Sequence, residues 1–107
     1  MDISISARHF NASASLQTRV QEEIEKLGRF YPNIISANVV LDHEVEHMRR
    51  CEISLNIAGA VIIASADEEN IGKALDVAIE RAKTQLKKHN EKQNDHKAKS
   101  VSDLVNE

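Results

Sequence analysis

Tryptophan is absent from these 107 residues, and the aromatic side chains amount to Phe10, Phe30 and Tyr31. Aliphatic packing must therefore carry the core. Recognition of single-stranded nucleic acid on a platform of several aromatics is not expected from so few rings. The one cysteine, Cys51, cannot close an internal disulfide. It lies among alternating apolar residues, where a small buried hydrophobe fits better than a nucleophile. Three glycines leave no Gly-rich phosphate loop. No apolar run approaches the ~18 residues of a membrane span, and no basic-then-apolar leader opens the chain, so the expected location is cytosolic.

What is present is an ordinary soluble balance, 41% hydrophobic and 29% charged, with a formal net charge of −3. The length suggests one domain. A net negative charge argues against a uniformly basic nucleic-acid binder, yet the charge is unevenly spread. Arg81, Lys83, Lys87, Lys88, Lys92, Lys97 and Lys99 face only Glu91 and Asp95 in the stretch 81–99. The acidic residues gather at Glu22, Glu23 and Glu25, at Asp42, Glu44 and Glu46, and at Asp67, Glu68 and Glu69.

Residues 2–8 alternate, with Ile3, Ile5 and Ala7 on one side, which predicts a half-buried strand. Leu16, Val20, Ile24, Leu27 and Tyr31 recur at helical spacing after the small polar residues 11–15, so a helix is expected from Ser13 or Ala14 to Phe30, ended by Pro32. Ile35, Ala37, Val39 and Leu41 alternate as a second strand, and the charged residues 42–50 read as a loop with room for frayed strand at either end. Cys51, Ile53, Leu55 and Ile57 form a third strand, joined through a tight turn at Ala58-Gly59-Ala60 to a fourth over 61–66. Ile71, Leu75, Ala78, Ile79, Ala82 and Leu86 then make the apolar stripe of a second helix, capped by Asn70 or Asp67 and expected to run to about Asn90. Beyond it the apolar period disappears, and residues 93–107 read as a flexible tail after a domain of residues 1–92.

The expected fold class is α+β, in the order β-α-β-β-β-α. A four-stranded sheet carries both helices on one face and leaves Ser4, Ser6, Ser36, Asn38, Ser54 and Asn56 on the other. Both helices turn basic residues outward: Arg19, Lys26 and Arg29 on the first, and Lys73, Arg81, Lys83, Lys87 and Lys88 on the second, with Lys92 continuing that face. Taken alone, such lysines are more often the solvated side of an amphipathic helix, and those near a helix C-terminus also favour its dipole. Only Asp76, Glu80 and Glu91 interrupt them on the second helix, however, and the positive excess grows along it. His9, His43, His47, His89 and His96 are scattered. The one helical spacing among them, His43 to His47, falls in an expected loop, so no metal or other cofactor is expected. No nucleophile and base stand at a catalytic spacing, and no enzyme is expected.

The chain resembles the short ribosome hibernation factors, a family that includes hibernation promoting factor and protein Y. The resemblance spans roughly residues 1–92. It rests on Ile62-Ile63-Ala64-Ser65-Ala66, on Asn70-Ile71-Gly72-Lys73-Ala74-Leu75-Asp76 and on Gln85-Leu86-Lys87-Lys88-His89-Asn90-Glu91-Lys92. Lys26-Leu27 with Tyr31 and Val39-Val40-Leu41 match less distinctively. Three positions differ from the family's usual pattern: Gly72 stands where a tyrosine is common, and Thr84 and Asn90 where basic residues are common.

The resemblance implies a layout similar to double-stranded RNA-binding domains and docking in the decoding channel of the small ribosomal subunit. There the helices would contact ribosomal RNA and block messenger and transfer RNA, repressing translation in stress or stationary phase. Arg19, Lys26, Arg29, Lys73, Arg81, Lys83, Lys87, Lys88 and Lys92 would be the RNA contacts, with ribosomal proteins as further neighbours and no small-molecule substrate or membrane involved. Without the second domain of the long forms, the chain would not itself pair ribosomes. It resembles most the factors that promote inactive ribosome dimers, with protein Y-type inhibition of single ribosomes as the alternative. A different class of reading is a protein-interaction module without RNA contact, such as a modulator of an alternative sigma factor, which the net charge of −3 favours.

Overall fold

The computed structural model of the protein describes the backbone of residues 1–43 and 48–106, with side chains through Glu91. The elements follow in the order β1 (Asp2–Arg8), α1 (Ala14–Phe30), β2 (Ile34–Asp42), β3 (Arg49–Ile57), β4 (Ala60–Glu68) and α2 (Ile71–Asn106). The strands form one sheet in the order β1-β2-β3-β4. β1 and β2 are parallel, so the chain must cross over between them, and α1 is that crossover. The remaining pairs are antiparallel.

Local chemistry explains the boundaries. Ser13 adopts an extended backbone and its Oγ accepts from the Leu16 amide at 3.1 Å, capping α1. Asn70 does the same for α2, its Oδ1 accepting from the amides of Gly72 at 2.7 Å and Lys73 at 3.2 Å. Gly59, at φ +83°, supplies the left-handed residue of the two-residue turn that sets Ile57 opposite Ala60.

The core lies between the helices and one sheet face. Val20, Ile24 and Leu27 of α1 and Ala74, Leu75, Ala78, Ile79, Ala82 and Leu86 of α2 are buried against Val39, Leu41, Cys51, Ile53, Leu55, Ala64 and Ala66. α1 lies over β1 and β2, and α2 over β3 and β4. Burial pushes the Cys51 thiol up to about 12, with the neighbouring Glu52 carboxylate adding to the shift, as suits a packing residue.

Three expectations need correction. Ile34, not Ile35, faces the core, because the β2–β3 register shifts between Ile34 and Ser36 and leaves Ile35 60% exposed. Ala7 is exposed on the edge strand β1. The strands enter either end of the 42–50 loop, as the sequence allowed, with Asp42 paired to Arg50; Glu44, Glu46 and His47 lie outside the described residues. Finally, α2 does not stop near Asn90 but continues to Asn106. Residues 91–106 contain neither proline nor glycine, so no strong helix breaker ends the helix there. The apolar period reports where a helix lies on a sheet, not how far it extends.

Candidate nucleic-acid interface

Two contacts show how the helices lie together. The Arg19 guanidinium donates to Asp76 Oδ1 at 2.6 Å, and Asn33 Nδ2, just past α1, donates to Asn90 Oδ1 at 3.4 Å. Both join residues 57 positions apart, so the helices run parallel and level, with Lys26 beside Lys83 and Phe30 beside Lys87 in height. At 3.6 residues per turn, Arg19, Glu23, Lys26 and Phe30 share one flank of α1, and Asp76, Glu80, Lys83, Lys87 and Asn90 one flank of α2. The Arg19–Asp76 contact shows that these flanks face one another.

The nine cations predicted from the sequence therefore separate. Arg19, Lys26, Lys83 and Lys87 belong to the seam between the helices. Arg81 and Lys88 lie on the opposite flank of α2, above β4. Arg29 and Lys73 point away from the sheet. The Lys92 side chain lies outside the described residues.

Their partners divide them again. Arg19 is tied to Asp76; Lys73 stands 3.6 Å from Glu68, Lys83 3.4 Å from Glu80, and Lys26 3.7 Å from Glu23. Arg81 donates to the backbone carbonyl of Ser65 at 2.6 Å, and Gln85 to that of Ile63 at 2.9 Å. These carbonyls belong to the edge strand β4, so the two side chains cover an otherwise unpaired edge. Arg81 is thus a sheet-edge residue first. By contrast, Arg29, Lys87 and Lys88 have no hydrogen-bond or ion-pair partner among the described residues. All three stand near the end where α1 finishes and Asn33 meets Asn90.

The three departures from the family pattern have partners of their own. A Cβ at Gly72 would come within 2.8 Å of Arg19 Nη1 and 3.0 Å of Asn70 Oδ1, so the Arg19 guanidinium lies close over this glycine. Thr84 Oγ1 donates back to the Glu80 carbonyl at 3.0 Å, and Asn90 holds Asn33.

The open sheet face is different in kind. Its Arg50 grips Asp67 through two hydrogen bonds of 2.8 and 2.9 Å, which hold the Asp67 carboxyl below the usual carboxylate range. Val61 and Ile63 are exposed there beside Ser36, Asn38 and Asn56. No group of three or more His, Cys, Asp or Glu side chains among the described residues is placed to hold a metal.

A family model described as sigma 54 modulation protein / S30EA ribosomal protein matches residues 3–94. The chain belongs to this family. Among curated S30EA-family proteins, the ribosome hibernation promoting factor of Azotobacter vinelandii is 31% identical over 93 residues, covering 87% of this chain and 86% of its own length. That of Pseudomonas putida is 29% identical, covering 87% and 90%. Two solved structures share the fold. A ribosomal subunit interface protein from Coxiella burnetii has a TM-score of 0.78 at 17% identity, covering 84% of this chain and 98% of its own. The N-terminal domain of Thermus thermophilus protein Y has a TM-score of 0.75 at 23% identity, covering 83% and 99%. The β-α-β-β-β-α architecture read from the sequence is thus that of the S30EA family.

Sequence reasoning passed over one residue of this surface. Phe30 counted only as the end of α1, yet it is 73% exposed, the most of any large hydrophobic side chain described. Its position off the Val20–Ile24–Leu27–Tyr31 stripe was a legible signal, and its nearness in height to Lys87 was not.

Proposed function

We propose that this protein is a ribosome hibernation factor. In this reading residues 1–92 dock in the decoding channel of the small ribosomal subunit and contact its RNA through the helical face. Bound there, the protein excludes messenger and transfer RNA and represses translation in stress or stationary phase. The observation that carries the reading is the set of cations without partners among the described residues near the end of α1, Lys87 in the seam with Arg29 and Lys88 outside it, on the fold of the S30EA family. Lysine and arginine contacts to phosphate give affinity and orientation without reading sequence, and folded ribosomal RNA offers a fixed shape to match. Lys83, Lys26 and Lys92 extend the surface, whereas Arg19, Lys73 and Arg81 support it. Because the curated relatives are named ribosome hibernation promoting factors, promotion of inactive ribosome dimers is preferred over protein Y-type inhibition of single ribosomes.

The test is sedimentation with separated ribosomal subunits at two salt concentrations, alongside a translation assay. The wild-type chain is expected to pellet with the small subunit, to dissociate as salt rises and to inhibit translation. The triple variant Lys83→Glu, Lys87→Glu, Lys88→Glu should stay in the supernatant and fold normally, since all three side chains reach solvent. Wild-type occupancy by that variant would sink the proposal. Binding that persisted at high salt would move the function to the exposed Val61 and Ile63 of the open sheet face, and so to a protein partner.

A further inference from the structure

A lone exposed hydrophobic side chain needs no explanation; what distinguishes Phe30 is its company. It follows Arg29 directly and lies on the same flank of α1 as Lys26. The parallel alignment of the helices sets it level with Lys87. Arg29 and Lys87 lack partners among the described residues, so their charges are free for a ligand. The ring contributes nothing to the core, which Tyr31 reaches instead. Its backbone is held nonetheless, because the Tyr31 amide donates to the Leu27 carbonyl at 2.9 Å and Pro32 follows at once. A flat apolar face on a fixed backbone, next to Arg29 in the chain and level with Lys87 on the neighbouring helix, does not suit an apolar peptide, whose docking would bury those charges. It suits a group that is flat and apolar on its faces and anionic at its rim.

We propose that Phe30 is a stacking platform for one unpaired nucleobase of the bound RNA, with Arg29 and Lys87 holding the phosphates beside it. The inference rests on the RNA-docking reading above and names what that surface takes at its carboxyl-terminal end. The base must be unpaired, since bases within a duplex already cover one another's faces. One ring serves one base, so stacking adds a local anchor to an interface otherwise built on charge. A single stack agrees with the expectation from composition, which was against a platform of several aromatics.

The experiment measures binding of the full chain to purified small ribosomal subunits at two salt concentrations, for wild type and for Phe30→Ala, Phe30→Leu and Phe30→Trp. Loss of one base–aromatic stack lowers affinity about 5- to 150-fold. Phe30→Ala is expected to fall in that range at both salts with an unchanged salt slope, because no phosphate contact is lost. Phe30→Leu, which keeps apolar area but has no π face, should fall with it. Phe30→Trp should bind at least as well as wild type. Because the chain has no other tryptophan, its emission reports this position alone and should be quenched by a stacked base. Unchanged binding by Phe30→Ala, wild-type binding by Phe30→Leu, or tryptophan emission that shifts to the blue without quenching, as in an apolar protein contact, would each overturn the stacking and leave RNA docking standing. A wild-type chain that fails to bind the subunits overturns both.

Discussion

At the amino-terminal end of the helix pair Arg19 is bound to Asp76 and Lys73 stands close to Glu68, whereas at the carboxyl-terminal end Arg29, Lys87 and Lys88 have no ion-pair partner among the described residues. The residue types at the two ends are alike. What differs is the field they project. A cation beside a carboxylate presents little net attraction to a phosphate a few ångströms away, because the phosphate meets both charges. Where the carboxylate is missing, the whole charge acts outward. A net charge of −3 is therefore compatible with an RNA-binding surface, provided the acidic residues lie beside other cations or on other faces.

The largest effect should come from inverting the free end. Lys87→Glu with Lys88→Glu is expected to weaken small-subunit binding by at least about 100-fold near physiological salt and to make its salt dependence shallower, as read by sedimentation. The tied end should respond far less. Lys73→Ala is expected to change affinity by less than about fivefold, since the loss of its positive charge is accompanied by release of Glu68 from an exposed and weak pair. A smaller effect of opposite sign would sharpen the contrast most. Asp76→Asn frees the Arg19 guanidinium and removes a negative charge from the seam, so binding should tighten about two- to fivefold, with a steeper salt slope. If Asp76→Asn weakened binding, the distinction between tied and free cations would be the wrong one.

A modest pH effect is expected where the end of β2 meets the segment before α1. His43 stacks on Phe10 with centroids 3.6 Å apart, and its Nε2 is buried without a partner among the described residues. Burial lowers its pKa below the usual 6.5, Arg49 lowers it further, and Asp42 opposes both. The unfolded chain then binds the proton more readily than the folded one. The stability this site contributes is present above pH 6.5 and declines as the pH falls through that value toward the folded pKa. Thermal melts between pH 7.5 and 5 should show that slope, and His43→Phe should remove this part of it.

Much of the fold was legible because it is written in short-range periodicities. The stripe through Val20, Ile24 and Leu27 and the alternation of Cys51, Ile53, Leu55 and Ile57 each follow from one element meeting one apolar surface. Ser13, Asn70, Gly59 and Pro32 mark their boundaries by local hydrogen bonding and backbone geometry. Two readings failed where a second element decided the outcome. Ile35 alternated correctly with Ala37, but the β2–β3 register shift turned Ile34 inward instead. The apolar period ended near Asn90 because the sheet does, while α2 itself ran on to Asn106.

The candidate site divides in the same way. The sequence by itself determined which residues are basic, that they lie on the outer sides of two amphipathic helices, and that their density rises along the second. Only the tertiary structure decided that the helices run level and parallel, that Arg81 is engaged at the β4 edge, that the Arg19 guanidinium lies close over Gly72, and that Phe30 is exposed level with Lys87. The reason is physical. Periodicity is a property of one segment and its own burial, whereas the partner of a charge depends on which side chain of a distant segment packing brings within a few ångströms, and residues 57 apart in sequence carry no local trace of being neighbours.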